Sequence, residues 1–187
     1  MVKINTCVFI SGKGSNLKNL IKKSREYNFP INIKLVISNN KNANGIFYAK
    51  VNSIPFKIIN TNSRNFEMQI FRELERHKIR LICLAGYMRI LSKKFLDFFS
   101  YKILNIHPSL LPKYKGLNTF IRILNNKEKK TGCTVHYVDE KLDNGKIIVK
   151  KSFFINEEDD EKEIKSKTQK LEYLAFPEAI IKIFRYN

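Results

Sequence analysis

Asn105, His107 and Asp143 are the residue types from which an acyl-transfer site can be assembled. An amide N–H can hold a developing oxyanion, an imidazole exchanges protons near neutral pH, and a carboxylate orients and charge-stabilises that imidazole. The first two stand in the run Asn105-Ile106-His107-Pro108-Ser109-Leu110-Leu111-Pro112. The third stands in Leu142-Asp143-Asn144-Gly145, a turn signature whose plainest reading is a turn aspartate. Of the chain's 3 histidines, His77 lies near a polar helix end, and His136 alternates within a strand as a satisfied structural histidine would. His107 is different. It lies beyond a short apolar strand, and the two prolines forbid helix or central-strand continuation after it. In open α/β sheets the carboxyl end of a strand is where ligands bind, and loops on a rigid scaffold are where chemistry concentrates. Ser109 is a tempting nucleophile, but its Pro-Ser-Leu-Leu-Pro context lacks a nucleophile elbow.

A second constellation lies near the amino terminus. Ser11-Gly12-Lys13-Gly14-Ser15-Asn16-Leu17 follows a strand and opens a helix. Its glycines let backbone N–H groups approach an anion, and Ser15 and Asn16 add side-chain donors. The third glycine of a dinucleotide fingerprint is missing, and no acidic residue is clearly placed after the second strand, so a monophosphate suits the loop better than NAD. An ordinary strand-to-helix turn remains the alternative.

These residues need a scaffold, and the pattern supplies one. Strands are expected over Val2–Ile10, Ile31–Ile37, Phe56–Ile59, Leu81–Ala85 and Lys102–Ile106. Helices are expected over Ser15–Arg25, Asn44–Val51, Arg64–His77 and Ser92–Phe99. Such alternation predicts a right-handed, largely parallel α/β sheet. Beyond it, Asn118–Leu124 reads as helix, Thr134–Tyr137 and Ile147–Phe154 as strands, and the tail from Asp159 as helix interrupted near Pro177, which suits the first turn of a new helix. Phe66, Ile70, Phe71 and Leu74 recur at helical spacing and predict core packing. Glu157-Glu158-Asp159-Asp160-Glu161 reads as a solvated acidic start to the last helix.

The 187 residues, 43% of them hydrophobic, suit one domain spanning 1–187 with a sizeable core. The start lacks the features of a secretory signal, and no apolar run approaches the length of a membrane span, so a cytoplasmic location is expected. Cys7, Cys83 and Cys133 sit beside apolar residues without metal-ligand spacing, which predicts reduced core thiols and no metal site. The formal charge of +18 suggests nucleic acid when taken alone. The lysines are dispersed and no recognised binding motif accompanies them, so a solvated basic surface that steers polyanionic small substrates is the expectation.

The octapeptide, with Lys113-Tyr114-Lys115-Gly116 after it and Gly132-Cys133-Thr134-Val135-His136 before Asp143, resembles the phosphoribosylglycinamide formyltransferases of de novo purine synthesis. Ser11–Leu17 resembles that family's phosphate loop, and Leu84-Ala85-Gly86-Tyr87-Met88-Arg89-Ile90-Leu91 its folate-contacting segment, so the likeness covers essentially the whole chain. The resemblance implies a single-domain formyltransferase fold, a Rossmann-like, mostly parallel sheet flanked by helices. It also implies metal-free transfer of a formyl group from 10-formyltetrahydrofolate, a co-substrate, to the amine of 5-phosphoribosylglycinamide. In that family's pattern Asn105, His107 and Asp143 are catalytic, with Asp143 holding His107 as an ion pair that favours the imidazolium. Gly14, Ser15, Asn16 and Leu17 would meet the ribonucleotide together with Gln169 and Glu172, although a solvated helix face explains the last two equally well. Arg64, Met88, Arg89, Ile90 and Leu91 would meet the folate. Val138 to Asp143, including Asp139, Glu140, Lys141 and Leu142, would form its opposite wall, and Asn105 would contact it too. His136 matches a further family histidine of secondary role.

Departures from the pattern fall outside the catalytic set. Phe120 and Tyr173 stand where relatives carry histidine. Asn144 stands where they often carry Gly or Ala, and since Asn tolerates left-handed backbone the turn is expected to survive. The chain also ends sooner after Pro177 than many relatives do. Methionyl-tRNA formyltransferase, formyltetrahydrofolate hydrolase and a basic nucleic-acid-binding protein on a retained catalytic fold remain as alternatives; oligomeric state is not readable.

Overall fold

The computed structural model describes residues 2–184 and contains two compact units, divided between Leu104 and Asn105. The first alternates strand and helix: β1 (Ile4–Ile10), α1 (Ser15–Ser24), β2 (Ile31–Ser38), α2 (Gly45–Val51), β3 (Phe56–Ile58), α3 (Phe66–Arg76), β4 (Leu81–Leu84) and α4 (Lys93–Phe98). Strand β5 (Lys102–His107) runs across the division. The second unit continues with α5 (Thr119–Asn125), β6 (Lys130–Tyr137), β7 (Ile147–Phe154) and α6 (Glu161–Phe184).

Strand β1 pairs in parallel with β2 on one side and with β4 on the other, and β2 pairs in parallel with β3. Its Cys7–Ile10 stretch is fully buried, as expected of a central parallel strand covered on both faces. Because the chain leaves β1 in one direction and returns on the other side at β4, the carboxyl ends of β1 and β4 flank a topological switch point, the place where such sheets open a crevice. The loops at Ser11–Gly14 and Gly86–Leu91 follow those two strand ends. The helices pack by the stripes the sequence carries: Leu17, Leu20 and Ile21 of α1 are buried, as are Ile70, Phe71 and Leu74 of α3. Phe95 of α4 has no exposed surface and meets the rings of Phe9, Phe71 and Phe99. In the second unit β6 and β7 form an antiparallel pair with a bulge between Val135 and His136, and α6 packs on both strands. The α/β class with mostly parallel pairing is as expected.

Several details differ from the sequence reading. α3 begins at Phe66, which leaves Arg64 exposed in the turn before it. β5 extends through His107, so that residue closes the strand and the proline-locked turn starts at Pro108. Helix α6 is continuous through Pro177. A proline there removes one helical hydrogen bond, yet Ala175, Phe176, Ala179 and Ile180 are fully buried, and packing on both sides of the proline outweighs the missing bond. Within the acidic run, Asp159 is not solvated: it is buried, accepts from the Asn156 N–H at 2.9 Å and is bridged by Lys167 Nζ at 2.6 Å.

The aromatic cluster around Phe95 anchors α4 on the first unit, so Phe95→Ala is expected to cost about 3–5 kcal/mol. Urea denaturation of the variant measures this; a loss under about 1 kcal/mol would mean that the cluster collapses freely around the gap.

Candidate active site

Asn105 and His107 occupy alternate positions near the end of β5. A strand's period of two sends them to the same face, which is why the Asn-x-His spacing matters. Asp143 comes to them from the turn after β6. It adopts a left-handed backbone with φ of 48°, so the left-handed position falls on Asp143 and not on Asn144, where the sequence suggested it. Two residues on, a Cβ on Gly145 would stand 1.8 Å from the Tyr137 carbonyl oxygen, so only glycine fits there. Asn144 faces outward instead and accepts from Lys115 Nζ at 2.7 Å.

Asp143 is the hub of the cluster. Its Oδ1 accepts from Asn105 Nδ2 at 3.2 Å, and its Oδ2 accepts from the Gly116 N–H at 2.8 Å and lies 3.2 Å from His107 Nδ1. The other ring nitrogen of His107, Nε2, donates to the Tyr114 carbonyl at 2.8 Å. Asp143 and His107 are 9% and 5% exposed, so these contacts are made largely out of water. Burial pushes the Asp143 carboxyl up, but the Gly116 N–H and the positive charges that His107 and His136 can carry overcome it and leave the pKa below the ordinary aspartate value. For His107, burial prevails: it pulls the pKa below 6.5, against the Tyr114 carbonyl and the Asp143 carboxylate. With both nitrogens facing acceptors, the protonated ring is the form that satisfies both contacts, and desolvation is what opposes it. An oxyanion arriving at this ring would tip the balance towards the imidazolium.

Tyr114 and Gly116 contribute through their backbone, so nothing in their side-chain types announced them. The segment that carries them is well tied. The Tyr114 hydroxyl and Lys113 Nζ both donate to Glu128 Oε1, at 2.9 and 2.7 Å, and Arg122 donates to the Lys115 carbonyl at 2.6 Å. His136, given only a secondary part by the sequence, lies against the hub, with Nε2 3.1 Å from Asn105 Nδ2. Asn105 Nδ2 thus faces both His136 Nε2 and Asp143 Oδ1 inside the cluster. Ser109 is fully buried and spends its hydroxyl on the Lys113 carbonyl at 2.6 Å, a turn-closing role. Gln169 and Glu172 are half-buried on α6, and the Glu172 charge adds to the burial that raises the Cys133 thiol to about 12. All three cysteines are buried and unbridged, as expected of core thiols.

The amino-terminal loop is organised within the first unit. Gly14 caps α1 in a left-handed conformation, φ 72°, and Ser15 is the first helical residue. A Cβ on Gly14 would stand 2.4 Å from the Gly45 Cα, and Gly45 in turn donates its N–H to the Gly12 carbonyl at 2.9 Å. Gly45 therefore shapes the loop from the start of α2, a partner that local sequence gave no reason to connect with it. Asn16 is largely buried, and the Leu17 side chain belongs wholly to the core, leaving its backbone as the part a ligand can meet. Ser11 Oγ accepts from the Met88 N–H at 2.8 Å and donates to Asn39 Oδ1 at 2.6 Å, fastening the loop to the segment after β4. In that segment Met88 and Ile90 are exposed, at 61% and 69%, while Leu91 is buried. Arg89 reaches Asn62 Oδ1 at 3.3 Å, and Ser92 is held through its N–H and hydroxyl by the Glu67 carboxylate. Asp139, Glu140, Lys141 and Leu142 are exposed on the turn that ends at buried Asp143, and the Asp139 carboxylate accepts from the Lys141 N–H at 3.0 Å.

Among the described residues, no group of three or more His, Cys, Asp or Glu is arranged to hold a metal ion, and no helix is long and apolar enough to cross a membrane. The chain is similar to known proteins over nearly its whole length. It is 42% identical over 181 residues to the phosphoribosylglycinamide formyltransferase of Haemophilus influenzae, covering 95% of this chain and 85% of that one. It is 40% identical to the human trifunctional purine biosynthetic protein adenosine-3, where the match covers 95% of this chain but only 18% of the larger protein. The crystal structure of phosphoribosylglycinamide formyltransferase from Anaplasma phagocytophilum superposes with a TM-score of 0.91 at 36% identity, covering 98% of this chain and 88% of that one. The formyl transferase family model matches residues 4–180, across both units. A chain that carries this family's sequence from β1 into α6, on the fold of its solved members, belongs to the formyl transferase family.

Proposed function

We propose that this protein transfers a formyl group from 10-formyltetrahydrofolate to the primary amine of 5-phosphoribosylglycinamide, with both compact units acting as one formyltransferase domain. The observation that carries the reading is the cluster of half-buried Asn105 with buried His107 and Asp143, an acyl-transfer set of the kind the residue types suggested. The matched relatives are named for this same activity.

The amine nitrogen attacks the formyl carbon, forming the new C–N bond as the formyl oxygen takes up negative charge. His107 Nε2–H meets that oxygen, and the hydrogen bond to the Tyr114 carbonyl is exchanged for it. Asp143, already ionised, supports the positive ring from Nδ1. Asn105 is the second polar side chain at the reacting groups. Collapse of the tetrahedral intermediate breaks the bond to the folate nitrogen. The proton lost by the amine passes, through His107 or water, to that nitrogen, and tetrahydrofolate leaves. Formyl passes directly between the two substrates, so their relative placement supplies much of the acceleration.

Gly14, Ser15, Asn16 and the Leu17 backbone hold the ribonucleotide phosphate at the amino end of α1, where unsatisfied N–H groups and the helix dipole favour an anion. Gln169 and Glu172 meet the same substrate. Exposed Met88 and Ile90, with Arg89, Leu91 and Arg64, contact the folate, as do residues 138–143 and Asn105. An apolar pair left in solvent beside ordered polar groups suits a flat heteroaromatic ligand. The dispersed positive charge draws in both polyanionic substrates, no step is assigned to a metal, and the work is placed in the cytoplasm.

Purified protein given 10-formyltetrahydrofolate and glycinamide ribonucleotide should form tetrahydrofolate only when the amine is present. Equal folate turnover without the amine would identify a hydrolase instead.

Asp143→Asn should keep the fold and most ligand binding, yet lower turnover on the order of a hundredfold or more. Histidine NMR should find the wild-type His107 titrating below 6.5, and lower still in the variant, because the lost carboxylate charge was raising it. Near-native turnover with an unmoved His107 titration would reduce Asp143 to a turn residue.

A further inference from the structure

His136 has no part in the reaction as described, although it is 2% exposed and lies at the centre of the cluster. The bulge in β6 falls between Val135 and His136, the kind of irregularity that re-aims a side chain. His136 Nδ1 lies 2.7 Å from the Tyr137 carbonyl oxygen, which can only accept, so the ring carries its proton on Nδ1. The neutral ring then presents Nε2 as an acceptor, and Asn105 Nδ2 stands 3.1 Å from it. The second hydrogen of that amide goes to Asp143 Oδ1 at 3.2 Å.

The opposite orientation of the amide is disfavoured on both sides. It would set Asn105 Oδ1 against the Asp143 carboxylate oxygen, acceptor to acceptor, and against the bare Nε2 of His136. Protonating His136 would relieve only the second clash, since its Nε2 is 3.7 Å from Asp143 Oδ1, too far to repair the first by bonding the carboxylate. The amide therefore keeps its nitrogen inward with both hydrogens spent, and the polar atom it has to offer a substrate is its oxygen.

We propose that His136, held as the Nδ1–H tautomer by the Tyr137 carbonyl, is a positioning residue that fixes the Asn105 amide so that Oδ1 accepts a hydrogen from the attacking amine. An acceptor on one N–H orients the amine and turns its lone pair towards the formyl carbon. It also keeps a hold on the nitrogen as it becomes positively charged during attack. Asn105 is then a contact of the nucleophile, and His107 meets the oxyanion. This role rests on the formyl-transfer reading of the site.

Nitrogen NMR of the histidine rings in the whole wild-type protein reads the tautomer directly and independently of turnover. The expected result is a protonated Nδ1 and a bare Nε2 on His136 at neutral pH. A proton on Nε2 under conditions where the protein transfers formyl overturns the positioning role and leaves the reaction in place. The Nδ1–H tautomer in a protein that transfers no formyl overturns the reaction, and the Asn105 role with it.

Kinetics supply the second arm. His136→Phe cannot accept from Asn105, and its kcat should fall on the order of a hundredfold, as for a reacting group displaced by about an ångström. Its KM for the ribonucleotide should stay within about threefold. His136→Gln, whose amide oxygen can take the place of Nε2, should recover most of the lost kcat. Equal losses in two folded variants, or a loss carried by KM, would overturn the proposal. If the Phe variant does not fold, the wild-type tautomer still decides.

Discussion

A buried carboxylate must be met by hydrogen bonds or positive charge, because the cost of leaving it unpaired exceeds the stability of most local structure around it. Asp143 is met by Asn105 Nδ2, by the Gly116 N–H and by the His107 ring, with His136 close by. The partners arrive from three pieces of chain: Asn105 and His107 from the end of β5, Gly116 from the turn that follows it, and His136 from the bulged end of β6. Satisfying one carboxylate therefore fixes the mutual placement of three otherwise separate segments, and with it the orientation of two imidazoles and one amide. The left-handed backbone at Asp143 and the close approach of Gly145 to the Tyr137 carbonyl are the local conditions under which the turn delivers that carboxylate.

The first unit follows a different logic, set by backbone more than by charge. Parallel strands with a switch point between β1 and β4 leave loops at their carboxyl ends. There the Gly14–Gly45 approach brings α2 against the Ser11–Leu17 loop, and Ser11 joins that loop to Met88. A single hydroxyl that both accepts and donates holds the proposed phosphate and folate segments in register, without any charged group being buried to do it.

Much of this was legible in the sequence, and each exception has a physical cause. The strands and helices of the first unit could be read because their apolar stripes and turn residues agree locally with the fold. Asn105, His107 and Asp143 could be read because their chemistry is written in their side chains. Tyr114 and Gly116 could not, since they act through a carbonyl and an N–H that every residue possesses. The weight of His136 escaped notice because a strand alternation shows which face a residue takes but not which atom its ring nitrogen will meet. Pro177 misled for the opposite reason: local propensity spoke for a break, and the burial of Phe176 and Ile180 overruled it. At Asp143 and Asn144 the residue more tolerant of left-handed backbone is not the one that adopts it, because carrying the carboxylate inward determines the turn.

The same carboxylate offers the most direct test. Carboxyl-carbon NMR of Asp143 across acid pH, in the ligand-free protein, reads whether the hub is charged and by how much its partners hold it so. The expected result is a titration midpoint below the ordinary aspartate value of 3.8, with the Asn105 amide and His136 ring signals shifting together as the proton arrives. A midpoint at or above that value, with Asn105 and His136 unmoved, would contradict the account of Asp143 as the charged centre of the site.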